Sequence, residues 1–368
     1  MIDQQARAAA LIPRHDQRHV PAKTHERERQ RAEDIGKPAR LCERQRLGTD
    51  DENGGRGQWR PHGKHQSAWQ LYNPQVTDGP VERPARTARA DSREVVELKA
   101  LRDSQPDLAS AVDMQLALVE VQRRVQGRVP LSWIQTDAEW LAAQQRAGRP
   151  IVRFTDIPLT WTDFRLTLRQ TADILHRYEA LDRSEHQQIL ALGRDGHTLE
   201  PLVSRWYTAT AGVDPVVDAR DRALEGSPAN LEQVLVLALR PFLARCAEAL
   251  VQAVDASTWK HGHCPFCGWE PDFAVITPSA DRRLICGRCL AQWAFGPLTC
   301  PFCANDDRSL ITSFATRDGR YRVYACDVCR RYLKAYDGRG TSRPVLVAVD
   351  TIATLPLDAA AMQRGYSG

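Results

Sequence analysis

The chain has 368 residues, 42% of them hydrophobic and 26% charged, which allows two or three domains with at least one sizeable core and disfavours a single small module. Its formal charge of +4 is unevenly placed: residues 1–90 hold 17 Lys+Arg against 12 Asp+Glu, a net +5, leaving 33 against 34, a net −1, for the rest, so no general case for a polyanionic partner survives. Nor does any apolar run approach the roughly 18 residues of a bilayer span, and Pro13, Arg14 and His15 cut short any secretory apolar stretch, so a cytoplasmic protein without membrane insertion is expected.

Residues 1–91 contain only ten Leu, Ile, Val or Phe and show neither a helical nor a strand period, so they read as a disordered, solvated tail. Cys42 and five of the ten histidines lie in it, too scattered to form a ligand set.

Helical spacing begins near Asp91. Leu108, Val112, Leu116 and Val119 fall on one face of a segment that Pro106 opens, and Thr136 with Glu139 in "TDAEW" makes a capping box for the next helix. Phe164, Leu168, Ala172, Leu175 and Tyr178 mark another amphipathic helix. Ser227 and Pro228 read as N-cap and first residue of a long helix carrying Leu231, Leu235, Leu239, Phe242, Cys246 and Leu250, with a kink at Pro241. Residues 92–259 therefore read as an all-helical domain, with Cys246 a small buried residue in it.

From residue 260 to 368 the composition shifts to Cys, Gly, Arg and aromatics in short segments. Eight of the ten cysteines form four CxxC pairs, Cys264/Cys267, Cys286/Cys289, Cys300/Cys303 and Cys326/Cys329. Taken in order they give C-x2-C-x18-C-x2-C and C-x2-C-x22-C-x2-C, spacings suited to two tetrathiolate metal sites, though the pairing of the pairs is open at this point. The x2 spacing belongs to a knuckle, a tight turn that aims two sulfurs at one ion while backbone amides point at those sulfurs. Pro265 and Pro301 fix φ in such a turn, and Gly268 can take the left-handed conformation that closes it. "YRVYAC" (Tyr321 to Cys326) alternates like a strand that delivers its pair. Each module is too small for an adequate core, and metal binding would supply on the order of 10 kcal/mol per site.

Four thiolates suit zinc and a single iron alike. A disulfide framework is disfavoured by the compartment, and thioredoxin-type chemistry would need a βαβ context that is missing. His261 and His263 read as linker residues beside complete cysteine sets. Residues 264–340 carry 11 Lys+Arg and 8 Asp+Glu, a net +3 that two dianionic centres would bring to about −1, so nucleic-acid binding has a weak electrostatic case. No Ser-His-Asp order, P-loop or dinucleotide fingerprint stands beside the pairs. The fold class expected is α+β: an all-helical domain followed by tandem rubredoxin or zinc-ribbon-like modules and a C-terminal helix.

The order of these features resembles the FdhE-type formate dehydrogenase accessory proteins: a helical domain ending near "RPFLARCAEAL", then "CPFCG", "CGRC", "CPFC" and "CDVC". The closing "VDTIATLPLDAAAMQRGY" is similar too, with Asp350, Thr354, Asp358 and Tyr366 in matching places. Spanning residues 92–368, the resemblance implies a cytoplasmic, non-enzymatic maturation factor. Such a factor engages the catalytic subunit of a respiratory formate dehydrogenase before export, binds iron through the eight cysteines and is needed for that enzyme to become active. Zinc in place of iron, redox activity of the sites and self-association stay open, and the alternative function is a zinc-ribbon nucleic-acid-binding or transcription-associated module. Ala304, where a glycine could follow the third pair, puts the geometry of the second site in question, and Pro356 interrupts "ATLPLD". Asp350 and Asp358 read either as contacts to a partner or to the ribbon, or as caps on a solvated helix face.

Overall fold

The computed structural model describes residues 92–131, 137–211, 223–251, 253–341 and 343–368. The tail with Cys42 and the capping residue Thr136 lie outside these.

Helix α1 (Arg93–Ser104) is followed by a 3-10 turn at Pro106–Leu108 and by α2 (Ala109–Gln126), so Pro106 opens a tight turn and the α-helix proper starts three residues on. Helix α3 (Ala138–Arg146) is capped by Asp137, whose carboxylate accepts from the Trp140 amide at 2.9 Å. The segment then runs through α4 (Trp161–Arg177), α5 (Arg183–Arg194) and α6 (Gly196–Thr210) to α7 (Leu231–Val251). The expected start of α7 at Pro228 is corrected to Leu231: residues 228–230 form a turn, because the Glu185 carboxylate binds both the backbone and the side-chain nitrogen of Asn230.

The periodic residues pack as their spacing requires. Phe164, Leu168 and Ala172 are fully buried against Leu231, Leu235, Leu239 and Phe242, and Cys246 is buried among them. Each such Leu or Phe contributes about 2 kcal/mol of transfer free energy. Pro241 lies inside α7 and cannot donate to the Leu237 carbonyl one turn back; the Gln122 side chain of α2 donates to that oxygen instead, at 3.1 Å.

Strands β1 (Pro271–Ile276), β2 (Arg282–Cys286), β3 (Gln292–Ala294), β4 (Ile311–Ala315), β5 (Tyr321–Cys326) and β6 (Tyr332–Asp337) make one sheet in the order β3-β2-β1-β6-β5-β4. The two expected modules are each a knuckle, a hairpin, a second knuckle and a third strand. They are fused edge to edge by the parallel pairing of β1 with β6, Phe273 opposite Lys334 through Ile276 opposite Asp337. Successive side chains of a strand face opposite sides. Ala274, Leu284, Leu333 and Ala335 join the core of the helical segment, and Phe273, Val275, Ile285 and Tyr336 form a separate cluster with Val345, Val347 and Leu357.

Two helices close that second face, α8 (Val347–Ala353) and α9 (Leu355–Gln363), where the sequence led us to expect one. Pro356 in the first turn of α9 has no amide for the Ile352 carbonyl, so the helix breaks at Thr354. Val349, Ile352 and Leu355 also pack on Leu98, Leu101, Val112 and Val119 of α1 and α2. None of the helices among the described residues is long and apolar enough to cross a membrane.

Candidate metal centres

All four CxxC turns have the same backbone. The residue after each second cysteine, Gly268, Leu290, Ala304 or Arg330, has φ between +57° and +74°, and its amide donates to the carbonyl of the first cysteine at 2.9–3.2 Å. The first cysteine's own amide donates to the carbonyl of the residue that follows, Trp269, Ala291, Asn305 or Arg331, at 2.8–2.9 Å. Ala304 therefore keeps the knuckle geometry, at a strain of about 1 kcal/mol for a left-handed non-glycine residue. Glycine is required only at 268, where a Cβ would lie 2.8 Å from the Ala211 Cα.

The knuckles bring the cysteines together in sequential order: Cys264, Cys267, Cys286 and Cys289 in site one, and Cys300, Cys303, Cys326 and Cys329 in site two. Within each site the four sulfurs lie within 4.8 Å of one another. The close pairs are Cys264–Cys289 at 3.6 Å, Cys267–Cys286 at 3.4 Å, Cys300–Cys329 at 3.7 Å and Cys303–Cys326 at 3.7 Å. These are far beyond a disulfide bond of about 2.05 Å and close to the edge, about 3.8 Å, of a tetrahedron with metal–sulfur bonds of about 2.3 Å. Backbone amides already point at sulfur: Phe266 to Cys264, and Arg288 and Cys289 to Cys286, each at 3.4 Å. Both sites could hold a metal ion, and the donor set fits zinc and iron equally.

Burial opposes charge on Cys267, yet hydrogen bonds from Cys264, Cys286 and Cys289 and the nearby Arg288 guanidinium hold its thiol well below the ordinary range. In site two the hydrogen bond from Cys329 lowers the Cys300 thiol to about 5 and pushes Cys329 up.

The two sites differ in their surroundings. Site one is buried throughout, none of its cysteines being more than 2% exposed, and it is tied to the helical segment. The Ile151 and Val152 amides donate to the Pro265 and Phe266 carbonyls at 3.0 and 2.8 Å, and the Tyr207 hydroxyl holds the Val152 carbonyl at 3.0 Å. Arg240 of α7 donates to the Gly287 carbonyl at 2.7 Å, and Arg288 to the Thr210 hydroxyl at 2.8 Å. In site two Cys303 is exposed and Cys329 half-buried. His261 and His263 join neither cysteine group; His263 meets the Gly148 carbonyl at 3.0 Å.

The matching residues of the closing segment dock on the second module. Asp350 is fully buried, accepting from the Tyr321 hydroxyl at 2.8 Å, from the Leu346 amide at 2.7 Å and from Arg343. Burial and this carboxylate push the Tyr321 phenol up, keeping it a donor. Asp358, 3% exposed, accepts from Lys334 at 2.6 Å and Tyr332 at 2.7 Å. The solvated-face reading of these aspartates is therefore corrected, since both are interior contacts to the sheet. The Tyr366 hydroxyl donates to Asp327 inside the fourth knuckle at 2.6 Å, and the Ser367 amide and carbonyl pair with Arg330 and Tyr332. Sequence reasoning missed Arg240 and Arg288; an arginine between two ligand-spaced cysteines in "CGRC" was the available signal for the latter.

A helical region packed with a fused pair of tetracysteine knuckle modules is the class of protein that this fold and these sites define. Its fold is of the FdhE type: it is similar to the crystal structure of the FdhE protein from Pseudomonas aeruginosa, at 20% identity and a TM-score of 0.50, over 74% of this chain and 91% of that one. No family model and no curated protein sequence matches the chain.

Proposed function

We propose that this chain is a non-enzymatic maturation factor that binds the catalytic subunit of a respiratory formate dehydrogenase in the cytoplasm and is needed for its activity. The eight cysteines serve as ligands of two ions, iron in this reading. The observation that carries it is the pair of sequential tetracysteine sites set in an FdhE-type fold. An ion in each site would supply folding free energy to its module and, if iron, a one-electron couple. The chain's own contribution is to present two knuckle pairs at tetrahedral spacing, one enclosed and one at the surface.

The test is affinity purification of the tagged chain from its native host without oxygen, with identification of the bound proteins and metal analysis. Recovery of a formate dehydrogenase catalytic subunit, with about two irons per chain, is expected. Its absence from the eluate, when the same cells make that subunit, would sink the partner assignment; zinc at that stoichiometry would make both sites structural.

A further inference from the structure

Arg288 sits between the site-one cysteines Cys286 and Cys289 and is 0% exposed. Its guanidinium lies over Trp269 at 4.0 Å, Trp206 at 4.9 Å and Tyr207 at 5.0 Å, and one nitrogen donates to Thr210. Its Nε and Nη1 have no hydrogen-bond partner, and it forms no ion pair among the described residues. Removing a guanidinium from water is among the largest penalties in a protein interior, and three aromatic faces offset only part of it. Neighbouring negative charge has to supply the rest. Arg331 beside site two has its own carboxylate, Glu270, in a two-pronged contact at 2.8 Å; Arg288 has none. What stands next to it is site one, where its backbone amide already touches the Cys286 sulfur and where four thiolates around a divalent ion would carry a formal −2.

We propose that Arg288 is the counter-charge of the first tetrathiolate centre, so that the ionic state of that centre governs how firmly the Trp206–Tyr207–Trp269 cage holds the ribbon to the helical domain. This rests on the reading that site one holds a metal ion. The cage belongs to the helical segment through Trp206 and Tyr207 of α6 and to the ribbon through Trp269, so Arg288 crosses the junction with its charge at the centre of both. A dianionic centre draws the guanidinium in; an empty or oxidised centre, less negative, releases it. Arg240, also buried and bonded to Gly287, lies on the same side, but Asp272 is the nearest charge to it, ahead of the site-one sulfurs.

The experiment compares the unaltered full-length chain with Arg288→Met and Arg288→Lys, side chains of similar length that differ in charge, each loaded with ferrous iron without oxygen. Elemental analysis gives ions per chain, and spectroelectrochemistry gives the Fe(III)/Fe(II) midpoint potential of each centre. Arg288→Met is expected to lower one midpoint potential, leave the other in place and weaken ferrous binding at one site by tenfold or more; Arg288→Lys is expected to keep both values. Two loaded centres with unchanged potentials and affinities in Arg288→Met would overturn the counter-charge and leave the metal reading standing. Site one without iron in the unaltered chain would end both. Should Arg288→Met fail to fold, the unaltered chain decides by hydrogen exchange: stripping iron must speed exchange of the 206–210 amides, and unchanged exchange there overturns the proposal.

Discussion

The unequal burial of the two sites predicts that they release metal in order. A chelator reaches an ion only after a ligand cysteine is exposed. In site two Cys303 already is, whereas no cysteine of site one exceeds 2% exposure. Opening site one breaks four hydrogen bonds at the junction: Ile151 and Val152 to the first knuckle, Arg240 to Gly287, and Arg288 to Thr210. At about 1 kcal/mol each they hold the site shut by about 4 kcal/mol, which slows release about a thousandfold. The protein loaded with two zinc ions, mixed with excess chromogenic chelator, should therefore give two phases of equal amplitude separated by roughly that factor. Cys303→Ser should remove the fast phase and Cys267→Ser the slow one. A single phase for both ions, or a fast phase that survives Cys303→Ser and disappears with Cys267→Ser, would refute the reasoning.

Ala304→Gly should raise stability by about 1 kcal/mol by relieving a left-handed alanine, whereas Gly268→Ala should lower it by more than that, because its Cβ also meets Ala211 at 2.8 Å; thermal melts of the metal-loaded chain check both. Gln122→Leu should cost about 1–2 kcal/mol in denaturant unfolding by orphaning the Leu237 carbonyl opposite Pro241, and a loss no larger than for other half-buried α2 residues would argue against that bond. Lys334→Met leaves a buried carboxylate without its cation and should cost about 3–5 kcal/mol, most of it recovered in Lys334→Met with Asp358→Leu; failure of the double variant to recover would show that the pair is not the cause. Hydrogen bonds from Arg339 and Arg322 hold the Asp337 carboxyl well below its ordinary value. That stabilisation is present at neutral pH and lost as pH falls below the usual carboxylate range. Asp337→Asn should thus match the unaltered chain in strong acid and be less stable near pH 7, and an equal deficit at both would contradict this.

The cysteine sets were legible in the sequence because a knuckle is a local object. Its two sulfurs are three residues apart, its turn is closed by the next residue, and the intervening hairpin is short enough to bring one pair to the next. The helices were legible for a similar reason, each being announced by its own apolar spacing, with misplacement at the ends where distant groups decide. Glu185, from a distant helix, binds the turn at which α7 begins, whereas Pro356 breaks the closing helix locally by lacking an amide.

Other features depend on residues far apart in the chain. The parallel pairing of β1 with β6 fuses the two modules, yet nothing in either strand's pattern distinguishes that edge from an exposed one. Asp350 and Asp358 look like solvated helix residues until Tyr321, Tyr332 and Lys334 arrive from the sheet. The sequence by itself determined that this chain carries four knuckle pairs, enough for two tetracysteine sites, since knuckle geometry is set within a few bonds. Only the tertiary structure decided that one site is enclosed with Arg288 and the other faces solvent, because burial and charge compensation are properties of the surroundings that packing brings together.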